Sequence, residues 1–93
     1  MQNNEVIEIN YFQDAGHGWI EVSRNLMFKT GFNPKDISSC SYENRQDQIA
    51  YLEEDCDAGL FLQHLKDNDY TFTFKEIHNN NESFIRRLPS FKA

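Results

Sequence analysis

The sequence predicts one small α+β domain over residues 1–93: a mostly antiparallel sheet with two helices, in the order ββαββαβ and with a further strand at the end. Three observations predict it. A chain of 93 residues has room for a single core. Short stretches that alternate apolar and polar residues recur along it, and helix signals fall between them. Because hairpins dominate the connections, we expect the helices to lie on one face of the sheet.

The first third of the chain predicts a hairpin followed by a short helix. Glu5–Phe12 alternates as a half-buried strand does, and Trp19–Val22 returns as its partner after a glycine-containing turn. Ser23 is a suitable N-cap, and Gly31 is suited to a left-handed C-terminal residue. These two signals predict a helix over Arg24–Thr30.

The rest of the chain predicts a second hairpin, a longer helix and one or two more strands. Ile37–Tyr42 and Gln48–Leu52 form the hairpin. A helix from about Asp57 to Asp67 follows, because four apolar residues recur at helical spacing. They are Ala58, Phe61, Leu62 and Leu65. Tyr70–Ile77 alternates aromatic with polar residues as a strand, and Ser83–Leu88 is predicted as a last, charged edge strand.

Charge and composition exclude several classes of function. Fifteen acidic and nine basic residues give a net charge of −6, which opposes contact with phosphate backbones and anionic lipid. Direct nucleic-acid binding and membrane association are therefore not expected. Since the N-terminus resembles no targeting signal, a cytoplasmic protein is predicted. In that reducing compartment Cys40 and Cys56 are expected to be two free thiols, buried or half-buried.

The turn that holds Gly16, His17 and Gly18 is the first candidate for function. Its glycines leave the imidazole uncrowded, so His17 is able to meet a ligand or a partner. The alternative is a hairpin turn whose histidine bonds a neighbouring group. Trp19 alternates with Ile20, so it lies either on the outer sheet face, as an aromatic partner contact, or in the core, if a helix covers that second face.

The second candidate is an acidic run directly before the longer helix. It contains Glu53, Glu54, Asp55 and Asp57. The helix dipole and an N-cap at Asp55 or Asp57 account for one or two acids but not for four. We therefore expect the run to bind a basic surface on a protein partner.

A small enzyme or ligand- or metal-binding domain is the alternative reading. It would use His17 together with Cys56 or Asp55 in one pocket. The chain contains no C-x-x-C or H-x-x-x-H spacing, so neither a metal, a cofactor nor a set of catalytic residues is predicted. A self-associating structural protein is a third alternative, because the sequence leaves the oligomeric state open.

Three segments together resemble a family of small uncharacterised proteins carried by bacteria, phages and mobile elements. They are Asp14–Trp19, with the letters GHGW; Ile37–Tyr42; and Ala50–Ala58, with the letters YLEEDCDA. The resemblance implies no activity. It implies a context in which a small acidic protein occupies a host defence protein, as anti-CRISPR and anti-restriction proteins do. The expected partner is then a basic surface of a host protein, for example a nucleic-acid-binding effector.

The prediction is therefore a non-enzymatic protein-binding factor. Its partner-binding residues are predicted from the two candidate segments together. They are His17, Trp19, Glu53, Glu54, Asp55 and Asp57.

Overall fold

The computed structural model describes residues 5–93, which form an α+β domain as predicted. Five strands and two α-helices are found within that range, together with two 3-10 helices, over Pro34–Asp36 and Phe84–Arg87. The strands and α-helices are β1 Val6–Gln13, β2 Gly18–Ser23, α1 Arg24–Thr30, β3 Tyr42–Asn44, β4 Ile49–Glu53, α2 Ala58–Asp67 and β5 Thr71–His78. None of the helices in these residues has the length and apolar character needed to cross a bilayer.

The sheet is mostly antiparallel, with the strand order β3-β4-β2-β1-β5. Its neighbours pair antiparallel except β1 and β5, which are parallel over eight residue pairs from Val6–Thr71 to Gln13–His78. The parallel pair follows from the connection, since α2 carries the chain from β4 across β2 and β1 to the far edge.

The helices pack on one face of the sheet, as the sequence predicts. Ile9, Ile20 and Leu52 project from the strands into this core and have almost no exposed surface. Phe61 and Leu65 of α2 pack against these side chains, which confirms the apolar stripe predicted for that helix. Helix α1 begins and ends as its caps require: the Ser23 hydroxyl accepts a bond from Leu26 N at 3.0 Å, and Gly31 adopts φ +75°.

The predicted last strand is wrong, because Ser83–Leu88 contains the second 3-10 helix. The Ser83 hydroxyl accepts from Ile85 N and starts that helix. Ile85 is fully buried and packs with Trp19 and Tyr51 in a second core on the other sheet face. The segment therefore covers the sheet instead of extending it.

The predicted strand over Ile37–Tyr42 is also wrong, because β3 begins only at Tyr42. Pro34–Asp36 forms a 3-10 helix, and Ser41 N then bonds back to Ser38 O. The residues between Ile37 and Ser41 consequently form a turn, which points toward the start of α2.

The two edge strands of the sheet, β3 and β5, differ in whether another segment borders them. Residues 89–91 run along β3: Glu43 N donates to Pro89 O at 2.9 Å, and Phe91 N donates to Ser41 O at 2.8 Å. At the opposite edge, no other described strand pairs with the outer side of β5. One edge is therefore covered, and the other is exposed along a strand of eight residues.

Candidate functional site

The glycine-containing turn and the acidic run meet at one end of the sheet. Trp19 of β2 is in register with Glu53 of β4, and Glu54 N donates to Gly18 O at 2.9 Å. Segments more than thirty residues apart thus form one surface, because β2 and β4 are hydrogen-bonded neighbours.

His17 faces a carboxylate of the acidic run. Its Nδ1 lies 3.3 Å from Glu53 Oε2, and the side chains are 46% and 12% exposed. Glu53 is thus mostly enclosed and points its charge at the imidazole. Of this pair only His17 presents a substantial surface to a partner.

Trp19 is a core residue, which corrects its prediction as a surface anchor. It is 1% exposed, and the Arg86 guanidinium carbon lies 5.5 Å from the centre of its ring. The alternation in β2 indicated correctly that Trp19 lies on the face opposite Ile20. That face is covered by the 3-10 helix that contains Ile85, so a partner does not reach the indole.

The Asp14 carboxylate fixes the backbone of the turn by hydrogen bonds, a role that was not predicted from the sequence. It accepts two bonds from Arg86, at 2.7 and 2.9 Å, and backbone bonds from Gly16, His17 and Ser83. The Arg86 hydrogen bonds hold the pKa of Asp14 well below its usual range, and the backbone donors add to that effect. An aspartate two residues before a glycine is a typical turn signal, but the partner 72 residues away is not visible locally.

Asp57 is also buried, which corrects its prediction as a partner-binding residue. It is 5% exposed, and its Oδ2 accepts from Ser38 N at 3.1 Å, Ser38 Oγ at 2.9 Å and Ser41 Oγ at 2.5 Å. Asp57 occupies the N-cap position of α2, yet its side chain makes no capping bond. It fastens the turn over residues 37–41 to the start of that helix.

Cys40 and Cys56 form a disulfide, so the expectation of two free thiols is wrong. The expectation rested on the compartment alone. The turn over residues 37–41 carries Cys40 to Cys56 although 16 positions separate them. With its sulfur in that bond, Cys56 provides no thiol for a nucleophilic site with His17, as the enzyme alternative would require.

Glu54 and Asp55 are the two members of the acidic run that remain exposed. Glu54 accepts a hydrogen bond from the Tyr11 hydroxyl. Burial, followed by that bond and the Glu54 charge, raises the pKa of Tyr11 to about 12. Tyr11 therefore stays a neutral donor at physiological pH, and it holds Glu54 beside the sheet.

Tyr11 and Glu54 belong to a larger surface, which we call the acidic–aromatic patch. It consists of Tyr11, Glu54, Phe74 and Glu76. Tyr11 and Glu76 are in register on β1 and β5, and the Tyr11 and Phe74 ring centres lie 5.8 Å apart. Phe74 is 44% exposed. Within residues 5–93 no Lys or Arg forms an ion pair with either glutamate; Glu76 Oε1 lies 3.6 Å from His78 Nε2 and accepts from Gln13 Nε2 at 3.4 Å.

No protein-family model, curated protein or solved structure matches this chain. The resemblance carried by the GHGW and YLEEDCDA segments stays a prediction.

Proposed function

We propose that this protein is a non-enzymatic binding factor whose acidic–aromatic patch contacts a basic surface of another protein. The observation that carries the proposal is the exposure of Glu54 and Glu76 around Phe74, without a Lys or Arg to neutralise them. Opposite charges across an interface speed encounter and fix orientation, and a desolvated aromatic supplies much of the affinity.

Phe74 and Tyr11 take the anchoring role that the sequence analysis gave to Trp19. Phe74 lies between the rings of Tyr11 and Phe72, at 5.8 and 5.6 Å, and Tyr11 is held by Phe74 and by its hydrogen bond to Glu54. A ring whose orientation is fixed before binding loses little conformational entropy when a partner covers it. The patch is therefore suited to binding without rearrangement.

The exposed edge of β5 adjoins the patch and supports the proposal. Phe74 and Glu76 belong to that strand, so their backbone lies at the border of the sheet. An extended partner segment at this edge would reach backbone hydrogen bonds and the two side chains together.

A narrower form of the proposal identifies the partner class. The resemblance to proteins of phages and mobile elements supports a host defence protein in the host cytoplasm, inhibited in the manner of anti-CRISPR or anti-restriction proteins. Nucleic-acid-binding effectors carry basic surfaces, which an acidic patch complements.

The experiment compares two double variants with equal charge. Glu54→Lys with Glu76→Lys alters the patch, whereas Asp36→Lys with Asp67→Lys alters exposed acids outside it; each pair changes the net charge from −6 to −2. The wild-type chain is used to isolate a partner from bacterial lysate, and the purified partner is then titrated with all three proteins at low and high salt.

We expect the patch variant to bind at least about tenfold more weakly at low salt, because close charge pairs at an interface are worth more than about 1.4 kcal/mol. The control variant should bind nearly as the wild type does. Equal losses in both variants would show a non-specific charge effect, and an unaltered patch variant would remove the basis of the proposal.

A further inference from the structure

We propose that Cys40, Cys56 and Asp57 form a binding site for a thiophilic divalent cation such as Zn²⁺ once their disulfide is reduced. The two sulfur atoms and a carboxylate oxygen of Asp57 all lie within 4.8 Å of one another. Thiolate and carboxylate are established ligands of Zn²⁺, and three protein ligands with an open fourth position form a common site. This inference does not depend on the proposed function.

One of the three separations, between Cys40 and Asp57, already suits tetrahedral coordination. Bond lengths of about 2.3 Å to sulfur and about 2.0 Å to oxygen place a sulfur and an oxygen ligand roughly 3.5 Å apart. Cys40 Sγ and Asp57 Oδ2 are 3.6 Å apart. Two thiolates on one ion lie roughly 3.8 Å apart by the same geometry. Both cysteines are exposed, so their side chains have room to separate after reduction.

Asp57 is held in place before any cation arrives. Ser38 and Ser41 both donate to its Oδ2, and Ser41 is itself fully buried. These donors hold the carboxylate in place, and a cation that binds Oδ2 takes the position of one of the two hydroxyl donors. The hydroxyl oxygen of Ser38 also lies 2.7 Å from Cys40 Sγ and 3.3 Å from Cys56 Sγ, so it borders the position that the cation would occupy.

The set of three ligands has a negative charge, once its two thiols are deprotonated, that a divalent cation compensates. Two thiolates and one carboxylate carry a charge of −3, and no Lys or Arg of residues 5–93 is ion-paired with Asp57. A divalent cation lowers that charge to −1. Binding releases the two thiol protons as the two metal–sulfur bonds form.

Cation binding and the disulfide exclude each other, because the same two sulfurs take part in both. A phosphine or dithiol supplies the two electrons, and water or the thiols supply the two protons, that convert the disulfide to two thiols. A peroxide takes two electrons from the metal-bound thiolates, forms the disulfide, releases the cation and becomes two hydroxide ions. The chain with the Cys40–Cys56 disulfide therefore holds the site in its metal-free form.

The test uses the full chain, reduced with a phosphine without oxygen, and Co²⁺ as a spectroscopic probe. We expect one Co²⁺ per chain, with thiolate-to-cobalt charge-transfer absorption and tetrahedral d–d bands. Zn²⁺ should displace the Co²⁺, and peroxide should abolish the bands. The oxidised chain is the control and should show none of them.

Variants decide whether the three residues act together. Cys56→Ser should lose most of the charge-transfer intensity, and Asp57→Asn should bind about tenfold or more weakly, as removal of a ligand or of its support does. Reduced wild type in urea shows whether binding needs the fold, should Asp57→Asn fail to fold. The proposal is overturned if the reduced chain gives no charge-transfer band, if folded Asp57→Asn binds like wild type, or if the unfolded chain binds equally well.

Discussion

At the scale of single residues, Asp14 connects two segments that are distant in the sequence. Its side chain is 2% exposed and joins the β1–β2 turn to Arg86 of the covering 3-10 helix. Gly16 N and His17 N donate to its Oδ1 and Ser83 N donates to its Oδ2, so one carboxylate accepts from three backbone groups as well as from Arg86. Asp14 therefore connects the candidate site to the cover of the second core.

The stability that Asp14 contributes should depend on pH. Its pKa is lowered in the folded chain, chiefly by Arg86, so folding favours the charged form. That contribution is fully present above the unfolded pKa of about 4 and is lost as the pH falls through the lower folded value. We expect Asp14→Asn to lower the melting temperature at pH 7 and the difference to shrink steadily below about pH 4.

A surface aspartate provides the comparison for this measurement. Asp67 is exposed and accepts only from the neighbouring Gln63, so Asp67→Asn should change the free energy of unfolding by less than about 0.5 kcal/mol. A difference between Asp14→Asn and wild type that stays constant from pH 7 to pH 2 would contradict the role assigned to the charge.

Single residues also show what the sequence could not reveal. Alternation placed Trp19 and Ile20 on opposite faces, but it carries no information on which faces are covered. Two segments distant in the chain decide that question for Trp19 and Asp57: the 3-10 helix with Ile85, and the turn with Ser41. The acidic run was recognised, whereas the burial of half of it was not.

At the scale of elements, the strands and helices with strong local signals were predicted within a residue or two. Helix α1 has both caps, α2 has its apolar stripe, and β1, β2 and β5 alternate. The two wrong strands lie where tertiary contacts decide: the disulfide and Asp57 fix residues 37–41, and the second core recruits Ile85. The parallel β1–β5 pair depends on a long crossover, which no local pattern specifies.

The pairing of β5 with β1 can be tested through the direction of its backbone N–H groups. Asn79 N donates to Gln13 O at 2.9 Å. In a parallel ladder the backbone N–H groups of successive residues point alternately to one side of the strand and to the other. Because the N–H of Asn79 points to β1, that of Lys75 does so too, and the N–H of Glu76 points to the exposed edge.

Proline should therefore be tolerated very differently at these two adjacent, exposed positions. Lys75→Pro removes a ladder hydrogen bond, worth about 1 kcal/mol, and also places the ring against β1, so its cost in the free energy of unfolding should exceed that of the bond alone. Glu76→Pro directs the ring to solvent, where prolines of edge strands occur, and should cost markedly less. Urea denaturation of both variants measures the difference. A larger cost for Glu76→Pro would mean that the N–H groups of β5 alternate in the opposite sense, and equal costs would mean that neither N–H takes part in a ladder bond to β1.

At the scale of the whole molecule, a few long-range connections hold the sheet between its two covers. The C-terminal segment borders β3, and Arg24 Nη2 donates to Lys92 O at 2.7 Å. Glu43 lies beneath that segment and accepts from Arg24 and Arg45, and its pKa is lowered by these partners against the opposing effect of its burial. The C-terminal segment at the β3 edge is thus connected to Arg24 and Glu43.

The Cys40–Cys56 disulfide is the one covalent connection of this kind, and its contribution acts through the unfolded chain. It closes a loop that contains β3, β4 and the turn between them. Cross-linking a loop of about 15 residues lowers the entropy of the unfolded ensemble by an amount worth roughly 3 kcal/mol. The exposed bond should be readily accessible to a reductant, because both of its cysteines lie at the surface.

We expect a phosphine reductant to lower the free energy of unfolding by about 3 kcal/mol, measured by urea denaturation with a chelator present so that no cation restores the connection. The double variant Cys40→Ser with Cys56→Ser is the matched control. It should unfold near the midpoint of the reduced wild type and should not respond to the reductant. If thiol titration shows two free cysteines while the wild-type midpoint is unchanged, the loop does not restrict the unfolded chain, and stability must come from the two covers of the sheet alone.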